Sequence, residues 1–253
     1  METSFYETNK AVSEYLLFHY GSDKDLLLEG TGPREALDFA WRCGCLHTDF
    51  ELKRARALDL GCAVGGSSFA LSCAFGETLG MDFAQALIDA ANRMASESEV
   101  ILPIAVEGDL TRDVSVALRS ESRPETVRFA QGDAMNLDPA IGQFDFVLMA
   151  NLIDRLPDPA ACLSQIHRFV ADDGLLAITS PYTWLEEYTP KEKWLGGFVR
   201  NGVEIRARDT LVATLSPNFE LLETRNMPFL IREHERKNQY TIAQATLWRR
   251  LDR

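Results

Sequence analysis

Three carboxylates and one small-residue turn stand at spacings that suit the binding of a nucleotide-like cofactor. Asp59-Leu60-Gly61-Cys62-Ala63-Val64-Gly65-Gly66 follows an apolar run that begins at Ala55 and precedes a helix-like segment from Ser67 to Phe75. A strand, a tight turn and a helix start gather backbone N–H groups and the positive end of a helix dipole at one point. A ribose or a phosphate can then come close to the main chain. Asp82 ends the next apolar run, about twenty residues after Gly61, the offset of a carboxylate that binds ribose hydroxyls. Asp133 follows a third run, Val127 to Ala130, where its carboxylate can accept a hydrogen bond from an adenine amino group. Asn151 closes a fourth, Phe144-Asp145-Phe146-Val147-Leu148-Met149-Ala150. Cys62, Phe83 and Ala134, beside these residues, complete the candidate cofactor set.

Such a set needs strands that end side by side. From residue 55 onward strand and helix patterns alternate, which predicts an α/β fold with a mostly parallel sheet covered on both faces. The expected strands are 56–60, 77–81, 127–130, 144–149, 174–179, 219–225 and 241–248, seven in all, with the last one antiparallel. Expected helices are 66–75, 84–96, 158–171 and 207–215. Residues 1–253 read as one domain: a helical prefix over 1–50, a cofactor core over 55–180, and acceptor-side segments with the last two strands over 181–253. In the prefix, Ala11, Val12, Tyr15, Leu16, Phe18 and His19 recur at helical spacing, and a second helix is expected from Pro33 to about Arg42. The prefix can cap the sheet or act as a lid. The surplus between Val100 and Pro124 predicts an inserted hairpin on the rim, with a short helix-like stretch. Met227 to Tyr240 is expected to be a loop at the carboxyl end of a parallel strand, overlooking the site.

Bulk properties exclude several classes. The chain has 253 residues, 46% hydrophobic and 25% charged, with 26 basic against 38 acidic side chains and a formal charge of −12. That field repels phosphate backbones, so no nucleic-acid partner is expected. No apolar run approaches the roughly 18–20 residues of a membrane span, and the first ten residues lack a signal-peptide layout. No membrane partner is expected. Five cysteines without a regular framework suit a reducing cytoplasm. Cys43-Gly44-Cys45-Leu46-His47 is a poor match to zinc spacings, so no metal is expected.

The turn alone does not choose a cofactor. Gly61-x-Ala63-x-x-Gly66 fits a nicotinamide-dinucleotide pattern with one substitution; Asp59, Gly61, Ala63 and Gly65 fit the looser turn of S-adenosylmethionine sites. Asp59 separates them, because a carboxylate two residues before Gly61 suits the amino group of a methionine moiety and is badly placed beside a pyrophosphate. With Asp82, Asp133 and Asn151 after successive strands, residues 55–180 resemble the class I S-adenosylmethionine-dependent methyltransferases. The resemblance implies a Rossmann-like fold and S-adenosyl-L-methionine as cofactor.

Other stretches are more distinctive. Phe5-Tyr6-Glu7-Thr8, Glu14 to Gly21, Asn151-Leu152-Ile153-Asp154-Arg155-Leu156-Pro157, Ser180 to Thr189, Trp194-Leu195-Gly196-Gly197 and Met227 to His234 resemble the methyltransferase domain of ovothiol biosynthesis. That family implies transfer of a methyl group to a ring nitrogen of 5-thiohistidine (4-mercaptohistidine), the last step of ovothiol A formation, and a functional link to an iron-dependent sulfoxide synthase; the alternatives are an S-adenosylmethionine-dependent methyltransferase acting on another small amino acid, amine or thiol, or a catalytically silent methyltransferase-fold subunit. The synthase's iron-binding histidine motif is absent here, so a stand-alone or excised methyltransferase without sulfur-insertion activity is expected. Gly66 stands where an arginine is expected in relatives. A mercaptoimidazole must lose a ring proton, so a base is needed. Glu233 and His234, on the loop expected to face the site, and Tyr182, past the fifth strand, are the candidates. Arg232, Arg236 or Lys237 can pair with an acceptor carboxylate. Trp184, with Tyr182, can wall a ring; Tyr6, Tyr15 and His19 join them if the prefix folds over the pocket.

Overall fold

The computed structural model describes residues 5–252. The amino-terminal part holds α1 (Asn9–Tyr20), α2 (Asp23–Leu26) and α3 (Phe39–Gly44). The next part alternates: β1 (Arg56–Leu60), α4 (Gly66–Ser72), β2 (Glu77–Asp82), α5 (Gln85–Glu97), the hairpin β3 (Glu99–Glu107) and β4 (Leu110–Ala117), then β5 (Val127–Gln131). The chain continues through β6 (Phe144–Ala150), α6 (Pro159–Ile166), β7 (Val170–Ser180), a small hairpin of β8 (Phe198–Arg200) and β9 (Val203–Ile205), α7 (Ala207–Leu215), β10 (Phe219–His234) and β11 (Lys237–Arg250).

Seven strands form one sheet in the order β10-β11-β7-β6-β1-β2-β5. All pairs from β7 to β5 are parallel, and β11 is antiparallel to both neighbours. The long apolar strand β6 is buried along nearly its whole length, as expected of a strand covered on both faces. From β1 the chain steps to β2 and β5 on one side, then crosses to β6 and β7 on the other. A crevice therefore opens beyond the carboxyl ends of β1 and β6, where the winding reverses. Among the described residues no helix is long and apolar enough to cross a membrane, and no cluster of three His, Cys, Asp or Glu could hold a metal ion.

Several elements depart from their expected bounds. The helix expected over 158–171 ends at Ile166, because Phe144 N donates to Phe169 O and β7 begins at Val170. The expected helix from Pro33 is split into a 3-10 turn, Arg34–Ala36, and α3, with Asp38 between them at φ 57°. The helix-like stretch expected in 100–124 is strand β4. Its hairpin does not stand apart on a rim: Val100, Leu102, Ile104, Val114 and Val116 are buried in one core with Leu16 and Leu17 of α1. The largest difference is at the expected loop Met227 to Tyr240. It is strand on both sides of a two-residue turn at Glu235 and Arg236, in a ribbon whose turn meets β3 through a Glu235 N bond to Val106 O.

The prefix is tied to the core by specific bonds. Thr8 caps α1 by accepting from Ala11 N. The Glu7 carboxylate accepts from Gln85 N at 2.9 Å and Ala86 N at 3.1 Å, so a residue of the prefix satisfies the first amides of α5. On this basis Glu7→Ala should cost about 0.5–2 kcal/mol, the range of a lost helix cap. It should also expose the first twenty residues to protease before the rest of the chain unfolds. Urea denaturation and limited proteolysis measure the two effects; unchanged values in both would refute the tie.

Candidate functional site

The crevice holds a cavity of about 850 Å³. One wall is the turn after β1. Gly61 N and Cys62 N both donate to Met81 O, at 2.8 and 3.0 Å, so the turn is bonded to the end of β2. Asp82 completes the link: Oδ2 accepts from Ala63 N and Oδ1 from Ala84 N, each at 2.9 Å. Ala63 has φ 47°, a backbone region that favours glycine, and the Asp82 bond helps hold it there. Gly65 starts α4 at φ 88°, where a Cβ would lie 2.5 Å from the Phe129 ring. Burial raises the Asp82 carboxyl above its ordinary range, against the backbone bonds that lower it.

Gly61, Cys62, Ala63, Asp82, Phe83, Asp133, Ala134 and Asn151 all line this cavity. Asp133 is fixed by a bond from Met135 N to its Oδ1, and Asn151 Oδ1 accepts from Thr179 Oγ1 at 2.9 Å. Phe83 stands at the mouth, 72% exposed. Two of the expected cofactor residues are not on the wall. Gly65 shapes the start of α4, and Asp59 is only 1% exposed, its Oδ2 accepting from Ser68 Oγ at 2.6 Å. The Asp59 side chain points to Ser68 of α4, away from the cavity lining.

The prefix forms a second wall. Tyr6, Tyr15 and His19 line the cavity, as expected if the prefix folds over it. Tyr20 Oη donates to Val64 O, and Gly66 N donates to His19 Nδ1 at 3.0 Å. Position 66 must be small here, since a Cβ would lie 2.7 Å from His19 Nδ1. Burial lowers the His19 pKa to about 3. With Nδ1 accepting a backbone proton, the neutral ring carries its own proton on Nε2 and is a donor.

The residues expected to do chemistry from the far strands lie elsewhere. Tyr182 Oη donates to Gln244 Oε1, and burial pushes its pKa up to about 12. Trp184 packs in the core around β6 and β7 and does not line the cavity. Arg232 is 5% exposed, on the side of the ribbon near Arg112, Glu235 and Asp25. Glu233 pairs with Lys237 at 2.6 Å and accepts from Gln239 Nε2; these contacts hold its carboxyl below its ordinary range. His234 Nδ1 accepts from Arg236 N in the turn, and Arg236 itself is exposed. None of these lines the cavity. The cause is strand alternation: the ribbon presents Phe229 and Ile231, with Gln239 and Thr241 of the partner strand, while a bulge between Arg232 and His234 shifts the phase.

Other wall residues were not anticipated. Asp154 and Arg155, on the loop after β6, and Tyr188, beyond β7, complete the cavity with Glu7 and Thr183. Asp154 is fully buried; Ser180 Oγ donates to its Oδ1 at 3.0 Å and Thr183 N to its Oδ2 at 3.2 Å. The signal was present in the sequence, since Asp154, Arg155 and Tyr188 belong to the distinctive stretches, but nothing local assigned them a contact.

The arrangement of strands and crevice is that of the Rossmann-like methyltransferases. NodS, an N-methyltransferase of Bradyrhizobium japonicum solved with S-adenosylhomocysteine, superposes with a TM-score of 0.55 at 13% identity, covering 95% of this chain and 99% of that one. Magnesium protoporphyrin IX methyltransferase of Synechocystis PCC 6803, also with bound S-adenosylhomocysteine, gives 0.52 at 16% identity, covering 88% and 91%. Residues 34–214 match the family described as "Methyltransferase domain". The chain belongs to that family, whose members use S-adenosylmethionine as methyl donor. A demethylmenaquinone methyltransferase of Lactobacillus johnsonii is 26% identical over 125 residues, 48% of this chain and 42% of that protein's length.

The buried Asp59 generates a pH test. Burial raises its pKa to about 7, despite the Ser68 bond that lowers it, so the folded state favours the protonated carboxyl. Its contribution to stability is present below the unfolded pKa of about 3.9 and is lost as pH rises toward 7. Asp59→Asn should therefore gain stability relative to wild type between about pH 4 and about pH 7, by urea denaturation. A difference independent of pH would refute it.

Proposed function

We propose that this protein methylates a ring nitrogen of 5-thiohistidine with S-adenosylmethionine, supplying ovothiol A from the product of an iron-dependent carbon–sulfur bond-forming synthase. One observation carries the reading. The stretches that resemble the ovothiol methyltransferases, far apart in sequence, contribute Tyr6, Tyr15, Asp154, Arg155, Tyr188 and Phe229 to a single cavity beside the β1 turn.

S-adenosylmethionine, when bound, supplies a methyl group activated by its sulfonium. The cavity suits it: the carboxyl ends of β1, β2 and β5 present Gly61, Asp82 and Asp133 on one wall. In this reading Asp82 holds ribose hydroxyls, Asp133 holds the adenine amino group and Phe83 covers the ring from the mouth. Tyr6 and Tyr15, with ring centroids 6.0 Å apart, exclude water from the acceptor side. Alignment of acceptor and donor within such walls can be worth on the order of 7–11 kcal/mol. His19 serves as a hydrogen-bond donor through Nε2–H, and proton removal falls to another group.

The test is a product assay with labelled S-adenosylmethionine on 5-thiohistidine, histidine and other small thiols and amines. N-methylated 5-thiohistidine should form with clear preference over plain histidine; equal turnover of the two would sink the acceptor assignment. Asp82→Ala should weaken S-adenosylhomocysteine binding by roughly 1–3 kcal/mol, the value of a lost charged hydrogen bond. Calorimetry measures it, and unchanged affinity would remove Asp82 from the ribose site.

A further inference from the structure

The cavity wall is acidic, with Glu7, Asp82, Asp133 and Asp154, and among the described residues Arg155 is the one arginine or lysine on it. An acceptor that carries a carboxylate would meet this wall badly unless that cation receives it, because a buried carboxylate without a partner is costly. We infer that Arg155 reads the carboxylate of the acceptor and selects amino acids over the corresponding amines. This rests on the acceptor reading above.

The guanidinium is held as a fixed, planar cation. Its Nη1 donates to Asp154 O at 2.8 Å, Asp154 Oδ2 at 3.0 Å and Thr183 O at 3.1 Å. Its central carbon lies 4.9 Å from the centre of the Tyr188 ring, a cation–π distance. Asp154 acts as a positioning residue, itself anchored by Ser180 and Thr183. The Arg155 side chain is nevertheless 28% exposed. A rigid fork of this kind suits a carboxylate better than a flexible ammonium does.

Its place in the fold separates it from the cofactor residues. Asp82 and Asp133 follow β2 and β5, on one side of β1, whereas Arg155 and Thr183 follow β6 and β7 on the other. Tyr6 of the prefix lies over the same region, 6.2 Å from Tyr188, and its side chain hydrogen-bonds with Arg155, which helps fix the guanidinium. Arg232 and Arg236, expected from the sequence to take this part, are outside the cavity.

The experiment compares 5-thiohistidine with its decarboxylated amine as acceptors. Wild type should favour the amino acid in kcat/KM by about 10–100-fold, the effect of a charged hydrogen-bonded pair. Arg155→Met should raise KM for the amino acid by a similar factor, leave KM for the amine nearly unchanged, and leave S-adenosylhomocysteine affinity as in wild type by calorimetry. Arg155→Lys should fall between, and with the wild-type comparison it decides the question if the Met variant does not fold. Equal use of the two acceptors by wild type would overturn the role of Arg155 and leave the acceptor reading intact. So would equal loss on both acceptors in the variants, or weakened S-adenosylhomocysteine binding. Inactivity of wild type on both compounds would overturn the acceptor reading and this inference with it.

Discussion

The Asp82 carboxylate joins two loops that parallel strands alone would leave independent. One oxygen takes Ala63 N from the turn after β1, and the other takes Ala84 N at the start of α5. Met81 O holds the same turn through Gly61 N and Cys62 N. This is a constraint on backbone, so it sets the cavity floor before any side chain is considered. The prefix then depends on it twice: Tyr20 bonds to Val64 O within the turn, and Glu7 bonds to the amides that follow Ala84. Loss of the floor would therefore loosen the wall above it.

Charge explains why the two sides of the cavity differ. Among the described residues four carboxylates and one arginine line it, and the whole chain carries a formal charge of −12. That balance favours a sulfonium-bearing cofactor and opposes a phosphate-rich one. It also makes the single cation on the wall decisive for any anionic group that enters. Asp154 gives part of its capacity to Arg155, yet its bonds from Ser180 and Thr183 keep it satisfied in a fully buried position. The pair is thus held by the loop around it and does not rely on mutual attraction alone.

The wall of the cavity after β1 and β2 was legible because its signals are local. A strand end, the glycine turn and the next strand end lie within thirty residues, so spacing alone brought Gly61, Cys62, Ala63 and Asp82 together. Asp59 was misplaced by the same logic, since its spacing was right but the strand turns its side chain toward Ser68. The ribbon from Met227 to Tyr240 was misread for another reason. Pro228 and the charged run from Arg232 to Lys237 argue against a buried central strand, but β10 is an edge strand, and an edge tolerates proline and charge. Once the edge is recognised, the alternation Phe229, Ile231 becomes readable as a wall. Arg155 and Tyr188 had no local signal, because their meeting is a contact between loops that follow different strands.

The prefix resolves the choice between cap and lid in physical terms. Its helix α1 buries Leu16 and Leu17 against the β3–β4 hairpin on one face and presents Tyr15 and His19 to the cavity on another. His19 is pinned by Gly66 N, and a larger residue at position 66 would displace the ring. A helix so anchored is part of the standing structure. The short 3-10 turn of Phe5–Glu7 is tied to α5 through the Glu7 carboxylate and to Tyr15, Tyr188 and Arg155 through Tyr6. Because Tyr6 sits between Tyr15 and Tyr188, this turn covers Arg155 from the side of the cavity opposite the Asp82 floor, and the prefix is wall and cap at once.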